Sequence, residues 1–199
     1  MTQAAWNPQL IAIGGSAGSL DVLRTILPRR SDHPLPPIVI VVHVPAEGPA
    51  LLHELLGERS SLAMKQADDK ELLQTDHVYF APPGYHLLIE KNQRLALSVD
   101  PAVNYSRPSI DVLFESAANA CGSRLLAVLL SGASEDGARG MAKVTAAGGR
   151  CAIQTPESAS SPLMPAAALE RVPLPSYLMS PDALGELLAG LKADADASA

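Results

Sequence analysis

The chain has 199 residues, 47% of them hydrophobic and 4% aromatic, with a formal net charge of −6. That length fills one domain with a sizeable core. The acidic balance and the scarcity of aromatics exclude a general nucleic-acid binder, which needs a basic stripe for phosphates and rings to stack on bases.

The N-terminal M-T-Q-A-A-W-N-P-Q-L has no basic stretch leading into an apolar one, so no signal peptide is expected. No apolar run approaches the roughly 20 residues of a membrane span, and a cytoplasmic protein without membrane insertion is expected. The first strand is L-I-A-I at 10–13, entering the glycine turn G-G-S-A-G at 14–18. S-L-D-V-L-R-T-I-L-P-R-R at 19–30 sets Leu20, Leu23 and Leu27 three and four apart, on one side of a helix. I-V-I-V-V-H-V at 38–44 scarcely alternates, as in a strand buried on both faces. A-L-L-H-E-L-L-G-E at 50–58 is helical in pattern, and D-D-K-E at 68–71 reads as a solvated turn or a contact for a regulator.

Residues 78–99 hold short strand-like pieces split by P-P-G and K-N-Q-R, which predicts an antiparallel hairpin attached to the main sheet. S-I-D-V-L-F-E-S-A-A-N-A-C-G at 109–122 is a helix opened by serine and closed by glycine. L-L-A-V-L-L at 125–130 is a third buried strand, followed by a helix over 136–149 and a strand C-A-I-Q-T at 151–155. P-D-A-L-G-E-L-L-A-G-L at 181–191 closes the fold as a helix with Pro181 near its start, and the tail K-A-D-A-D-A-S-A is expected to fray. Cys121 and Cys151 adjoin apolar runs outside any C-x-x-C pair and read as small core residues. Alternating strands and helices predict an α/β fold, a doubly wound and mostly parallel sheet flanked by helices. With neither linker nor repeat, residues 1–199 are expected to form a single domain.

Sites in open parallel sheets form beyond the carboxyl ends of the strands. Each of the three apolar runs delivers a polar residue there: Ser16, His43 and Asp136. Those residue types compose a hydrolytic relay, in which a hydroxyl attacks, an imidazole takes its proton and a carboxylate fixes the imidazole tautomer. Gly14-x-Ser16-x-Gly18 has the spacing of a nucleophile elbow, and Ala17 N–H is the natural first oxyanion donor. Taken singly, each residue has a plainer reading: Ser16 in a tight turn, His43 as a satisfied rim histidine, Asp136 as an N-cap for the helix that follows. A dinucleotide site fares worse, since Ser16 stands where the second glycine is needed and the second strand ends in His43 instead of an acid. A generic anion site at the helix start stays open.

The blocks I-G-G-S-A-G, V-V-H-V-P, V-Y-F-A-P-P-G-Y-H-L, R-P-S-I-D-V-L-F, L-L-S-G-A-S-E-D-G-A-R-G-M, A-G-G-R-C-A-I-Q-T-P-E-S-A and M-P-A-A-A occur in this order over roughly residues 10–180. In this ordered set the chain resembles the catalytic domain of the chemotaxis protein-glutamate methylesterases. The resemblance places the family's nucleophile on Ser16, its histidine on His43 and its aspartate on Asp136. It implies hydrolysis of glutamate methyl esters on chemoreceptor cytoplasmic helices with release of methanol, deamidation of receptor glutamines as in some members, and no metal or organic cofactor. The family commonly carries an N-terminal phosphoacceptor (receiver) domain, for which this chain has no room before the first strand. A separate regulatory protein is then an expected partner.

The chain departs from the family pattern at Ser19, where glycine is usual, at Ala133, where methionine is usual beside the serine, and at S-A-S-S-P-L over 158–163. Ala133 is a candidate substrate contact, as is Arg107, which either steers an acidic substrate or braces its loop. Ser109 and Asp111 read as the cap and first turn of a helix, and His86 and Tyr85 as packing residues of the hairpin region. The departures leave an alternative open: a catalytically silent domain of the same fold that binds a receptor or signalling partner. Contact of His43 with Ser16 on one ring nitrogen and Asp136 on the other is the geometry that separates the two.

Overall fold

The computed structural model describes residues 6–27, 33–43, 52–57 and 60–193. Along them run β1 (Leu10–Gly15), α1 (Ser19–Ile26), β2 (Ile38–Val42), α2 (Leu52–Gly57), β3 (Ala63–Gln66) and β4 (His77–Phe80). There follow β5 (His86–Ile89), β6 (Leu95–Ser98), α3 (Ile110–Cys121), β7 (Leu125–Leu129), α4 (Ala138–Ala146), β8 (Arg150–Gln154), α5 (Leu163–Arg171), β9 (Tyr177–Met179) and α6 (Pro181–Ala189).

Seven strands form one sheet in the order β3-β4-β2-β1-β7-β8-β9, with every pairing parallel. From β1 the chain winds outward through β2, then returns to β7 on the other flank, so the order reverses between β1 and β7. Open sheets place ligands beyond the carboxyl ends of the strands at such a reversal. The strand residues alternate between two cores. Leu10 and Ala12 face a layer containing Leu113, Phe114, Met141, Met164 and Ala168, while Ile11 and Ile13 face Val22, Leu23, Ile26, Leu184 and Leu188. Helices α3, α4 and α5 therefore cover one face, and α1 and α6 the other. This is the doubly wound α/β architecture expected from the alternating pattern.

The hairpin differs in detail from expectation. Val78, Tyr79 and Phe80 belong to β4 inside the main sheet, and the antiparallel pair is β5 with β6, a separate two-stranded sheet. The cause is local: β4 is buried on both faces, and Pro82 and Pro83 end it by denying further ladder donors. Strands β3 and β9 carry no continuous apolar run because they are the sheet's edges, where half-exposed residues suffice. The acidic run joins the hairpin to the sheet: Lys70 Nζ bonds Glu90 Oε1 at 2.6 Å and Leu97 N–H bonds Asp69 Oδ1 at 3.0 Å.

Helix ends follow the sequence closely. Helix α1 stops at Ile26, and Leu27 is extended (ψ 120°) because Pro28 comes next and disfavours helical backbone in the residue before it. Its buried face is consequently Val22, Leu23 and Ile26, with Leu20 only partly covered. Ser180 caps α6, accepting from Ala183 N–H at 3.4 Å, with Pro181 in the first turn. Cys121 and Cys151 are buried free thiols. No helix among the described residues is long and apolar enough to cross a membrane.

Candidate active site

Register alone brings the first two candidates together. Gly15 pairs with Val42 across β1 and β2, and His43 N–H continues the ladder to Gly15 O at 3.1 Å. On the other flank Leu130 N–H reaches Gly14 O at 2.9 Å, and Ser16 N–H reaches Ser131 O at 2.9 Å. Ser16 thus leaves β1 between the ends of β2 and β7, at the reversal point. Gly18 (φ 78°) turns the chain into α1, a left-handed conformation costly for any residue with a Cβ. Ser16 N–H is committed to Ser131, and Ala17, the next residue of the turn, is exposed.

Ser19 has a definite role in this turn. It is fully buried, and both its N–H (3.0 Å) and its Oγ–H (2.7 Å) donate to Ser16 O. Ser131, also buried, ties three segments together: its Oγ donates to Ala17 O at 2.7 Å and accepts from Ser161 N–H at 2.9 Å. Its own N–H bonds Gln154 Oε1 at 2.8 Å. The atypical 158–163 loop is thereby stitched against the Ser16 turn. Gly132 sits under this contact, where a Cβ would lie 2.5 Å from Met164 Cε and 3.0 Å from Ser16 Cβ. Ala133, the next residue, is exposed beside it.

Asp136 is enclosed by donors. His43 Nε2 lies 2.9 Å from its Oδ2, which also accepts Ile110 N–H at 2.7 Å. Its Oδ1 accepts Ser109 Oγ–H at 2.8 Å, Asn104 Nδ2–H at 2.9 Å and Asp111 N–H at 3.1 Å. Burial pushes this carboxyl up, but the bonds from His43, Ile110, Asn104 and Ser109 together outweigh that and hold it below its ordinary value. An ionised carboxylate can only accept, so His43 Nε2–H is the donor of this bond. Ser16 Oγ itself makes no hydrogen bond among the described residues, and nucleophile–base contacts are often looser before substrate binds.

Asp136 does not cap its own helix. Gly137 (φ 95°) stands at the start of α4, and the two helices exchange caps. Asp136 accepts from the first amides of α3, while Asp111 in α3 accepts Gly137 N–H at 3.0 Å and Gly140 N–H at 2.7 Å at the start of α4. Each carboxylate thus meets the positive end of the neighbouring helix. Burial pushes Asp111 up, the Gly140 and Asn104 bonds offset part of this, and the charge of Asp136 adds to the rise. Arg139 Nε lies 3.7 Å from Asp111 Oδ2 and 2.6 Å from Glu115 Oε1.

The remaining candidates divide. Arg107 Nη1 donates to Val99 O (2.8 Å) and Asp100 O (3.0 Å), which braces its loop. His86 is buried, with Nε2 3.1 Å from Pro101 O and Nδ1 accepting Ser109 N–H at 3.2 Å, a packing role. Tyr85 is exposed. Asn104, Ser131 and Gln154 are absent from the sequence-based candidates, since a lone amide or hydroxyl in a loop carries no spacing signal. Among the described residues no group of three or more His, Cys, Asp or Glu is placed to hold a metal ion.

A doubly wound sheet with a serine, a histidine and a buried carboxylate gathered at its reversal point has the architecture of an α/β enzyme. A family model described as CheB methylesterase matches residues 11–188. A putative protein-glutamate methylesterase/protein-glutamine glutaminase of Leptospira interrogans is 40% identical over 181 residues, 91% of this chain and 93% of that protein. The protein-glutamate methylesterase/protein-glutamine glutaminase 2 of Shewanella sp. (strain MR-4) is 35% identical over 194 residues, 94% of this chain but 55% of the relative. The crystal structure of the Thermotoga maritima CheB methylesterase catalytic domain matches with a TM-score of 0.83 and 29% identity, covering 94% of this chain and 98% of that one. The chain belongs to the CheB methylesterase family, and by that membership it is a hydrolase of the esterase class.

Proposed function

We propose that the protein is a protein-glutamate methylesterase and glutamine deamidase acting on the cytoplasmic helices of chemoreceptors, with Ser16 as nucleophile, His43 as base and Asp136 as the group that orients His43. The observation that carries this reading is the 2.9 Å contact between His43 Nε2 and the fully buried Asp136 carboxylate, beside the strand end that presents Ser16. A neutral His43 with its proton on Nε2 leaves Nδ1 to accept the Ser16 proton as Oγ attacks the ester carbonyl. The tetrahedral oxyanion forms near Ala17 N–H at the start of α1. His43 returns the proton to the departing methoxide, methanol leaves, and water attacks the acyl-serine by the same proton path to free the glutamate. An amide substrate follows the same course with ammonia as the leaving group.

The activity test is methanol release from receptor carrying labelled methyl esters, with Ser16→Ala beside the wild type. Wild-type release with a fall of about a thousandfold or more in the variant is expected; no release from any methylated receptor, or full release by the variant, overturns the proposal. A Ser16 Oγ without a hydrogen-bond partner among the described residues and the small side chain at Ala133 favour the second reading, a silent receptor- or partner-binding domain. Covalent capture of Ser16 by a serine-reactive phosphonate separates them, since a silent domain leaves the hydroxyl unmodified.

A further inference from the structure

We propose that Asn104 is a positioning residue, a clamp between two buried carboxylates that holds Asp136 in register with His43. Asn104 lies in the loop between β6 and α3, where Val103 and Ser106 pair through Val103 N–H to Ser106 O (3.1 Å) and Ser106 N–H to Val103 O (2.9 Å). The two residues between them, Asn104 (φ 51°) and Tyr105 (φ 61°), are both left-handed, as in a tight turn that requires positive φ at both central positions. Both residues of the turn are exposed, but only Asn104 bonds the buried carboxylates. Tyr105 is fully exposed, while the Asn104 amide reaches inward to Asp111 Oδ2 and Asp136 Oδ1, each at 2.9 Å.

The chemistry of the contact is specific. Two carboxylates of like charge face one atom, and an –NH2 group offers a separate N–H to each without adding charge. The same demand fixes the amide orientation, because the oxygen of Asn104 would face two acceptors. The other donors to Asp136 Oδ1 are Ser109 Oγ–H and Asp111 N–H, both from the start of α3. Asn104 alone among the residues named here bonds both carboxylates of the exchanged caps through its side chain. It therefore couples the α3 and α4 ends to each other at the atom pair beside His43. The Asn104 side chain bonds Asp111 and Asp136 and makes no hydrogen bond to Ser16, so its effect on turnover passes through Asp136 and the His43 tautomer.

This inference rests on the hydrolase reading for its kinetic consequence, but its structural consequence can be read without turnover. Asn104→Gly keeps the left-handed turn and removes the amide. Asn104→Asp keeps the shape and places a third carboxylate against Asp111 and Asp136. In wild type, long-range 1H–15N spectra of the His43 ring, assigned with His43→Gln, should show the Nε2–H tautomer. In Asn104→Gly they should show a tautomer mixture, while receptor-ester kinetics show kcat down about tenfold to hundredfold with KM within about twofold.

Asn104→Asp should lose more at neutral pH, and its rate relative to wild type should recover as pH falls and the new carboxyl gains a proton to donate. The groups around it are Asp111, Asp136, His43 and Arg139, with Glu115 on Arg139 and His86 behind Ser109. An unmoved His43 tautomer in folded Asn104→Gly overturns the clamp, whatever the rate. If that variant does not fold, an Asn104→Asp to wild-type rate ratio that is flat with pH overturns it. A wild type without esterase activity but with the tautomer shift in Asn104→Gly removes the hydrolase reading and leaves the clamp standing.

Discussion

The Ser16 turn and the Asp136 carboxylate lie at neighbouring strand ends and are built in opposite ways. Ser16 is half-buried, its backbone is held by Ser131 and Ser19, and its hydroxyl is left without a partner among the described residues. Asp136 is fully buried and its two oxygens accept from His43, Ile110, Ser109, Asn104 and Asp111. The difference fits the roles proposed for them. A nucleophile needs a fixed mount and a hydroxyl that a base can reach, whereas an orienting carboxylate must stay ionised and immobile, which in a buried place takes several donors. The exchanged caps supply those donors from backbone amides that helix starts leave free anyway.

The sharpest way to break this contrast is Asp136→Asn. The change keeps the shape but puts an –NH2 where the pocket supplies donors, and it removes the charge that sets the His43 tautomer. A loss of about 10⁴ in kcat is expected in the receptor-ester assay, and a rate near wild type would mean that the carboxylate is structural. Next in size is Gly140→Ala. Its Cβ would sit 2.6 Å from Phe114 Cβ and 3.3 Å from Asp111 Cα, so α3 and α4 must part where their caps cross. Denaturant unfolding should show a loss of about 1–3 kcal/mol, and an unchanged midpoint would show that the helix pair yields freely there.

Acid unfolding distinguishes the two buried carboxylates by sign. The folded-state value of Asp136 is depressed, so its contribution is complete above the unfolded value of about 3.9 and is lost as pH falls through the lower folded value. Asp111 is raised, so the folded state holds its proton longer, and stability declines as pH rises from that unfolded value through the raised one. Urea melts across this range should lose the first limb in Asp136→Asn and the second in Asp111→Asn; the same slope in both variants would contradict the opposed shifts. The smallest expected effect is Ser19→Ala, which removes one of two donors to Ser16 O at a cost of about 1 kcal/mol. Activity should stay within a few fold. A loss as large as that of Asp136→Asn would show that the turn depends on Ser19 as heavily as the acid depends on its donors.

Much of this was legible in the chain itself. Non-alternating runs at 10–13, 38–44 and 125–130 mark central strands because such strands must be apolar on both faces. Strand-end logic then selects Ser16, His43 and Asp136 as neighbours, and register brings Ser16 beside His43. The edges β3 and β9 were not legible, for an edge needs little apolar content, and neither was the membership of β4 in the main sheet, because Pro82–Pro83 resembles a hairpin break. Taken alone, D-G before a helix marks Asp136 as the cap of its own helix, and only the packing of α3 against α4 turns it to the neighbouring one.

Sequence by itself determined the layered α/β plan and the three polar strand ends, because burial periodicity and turn chemistry are local and repeat along the chain. Tertiary structure alone decided that Asp111 and Asp136 cap each other's helices, that Asn104 reaches both, that Ser131 joins three loops, and that Ser19, where the family usually has glycine, secures the turn. These contacts join residues far apart in the chain or depend on which way a single side chain turns. Their donors and acceptors are common residue types, and only the packed fold brings them within hydrogen-bond distance of one another.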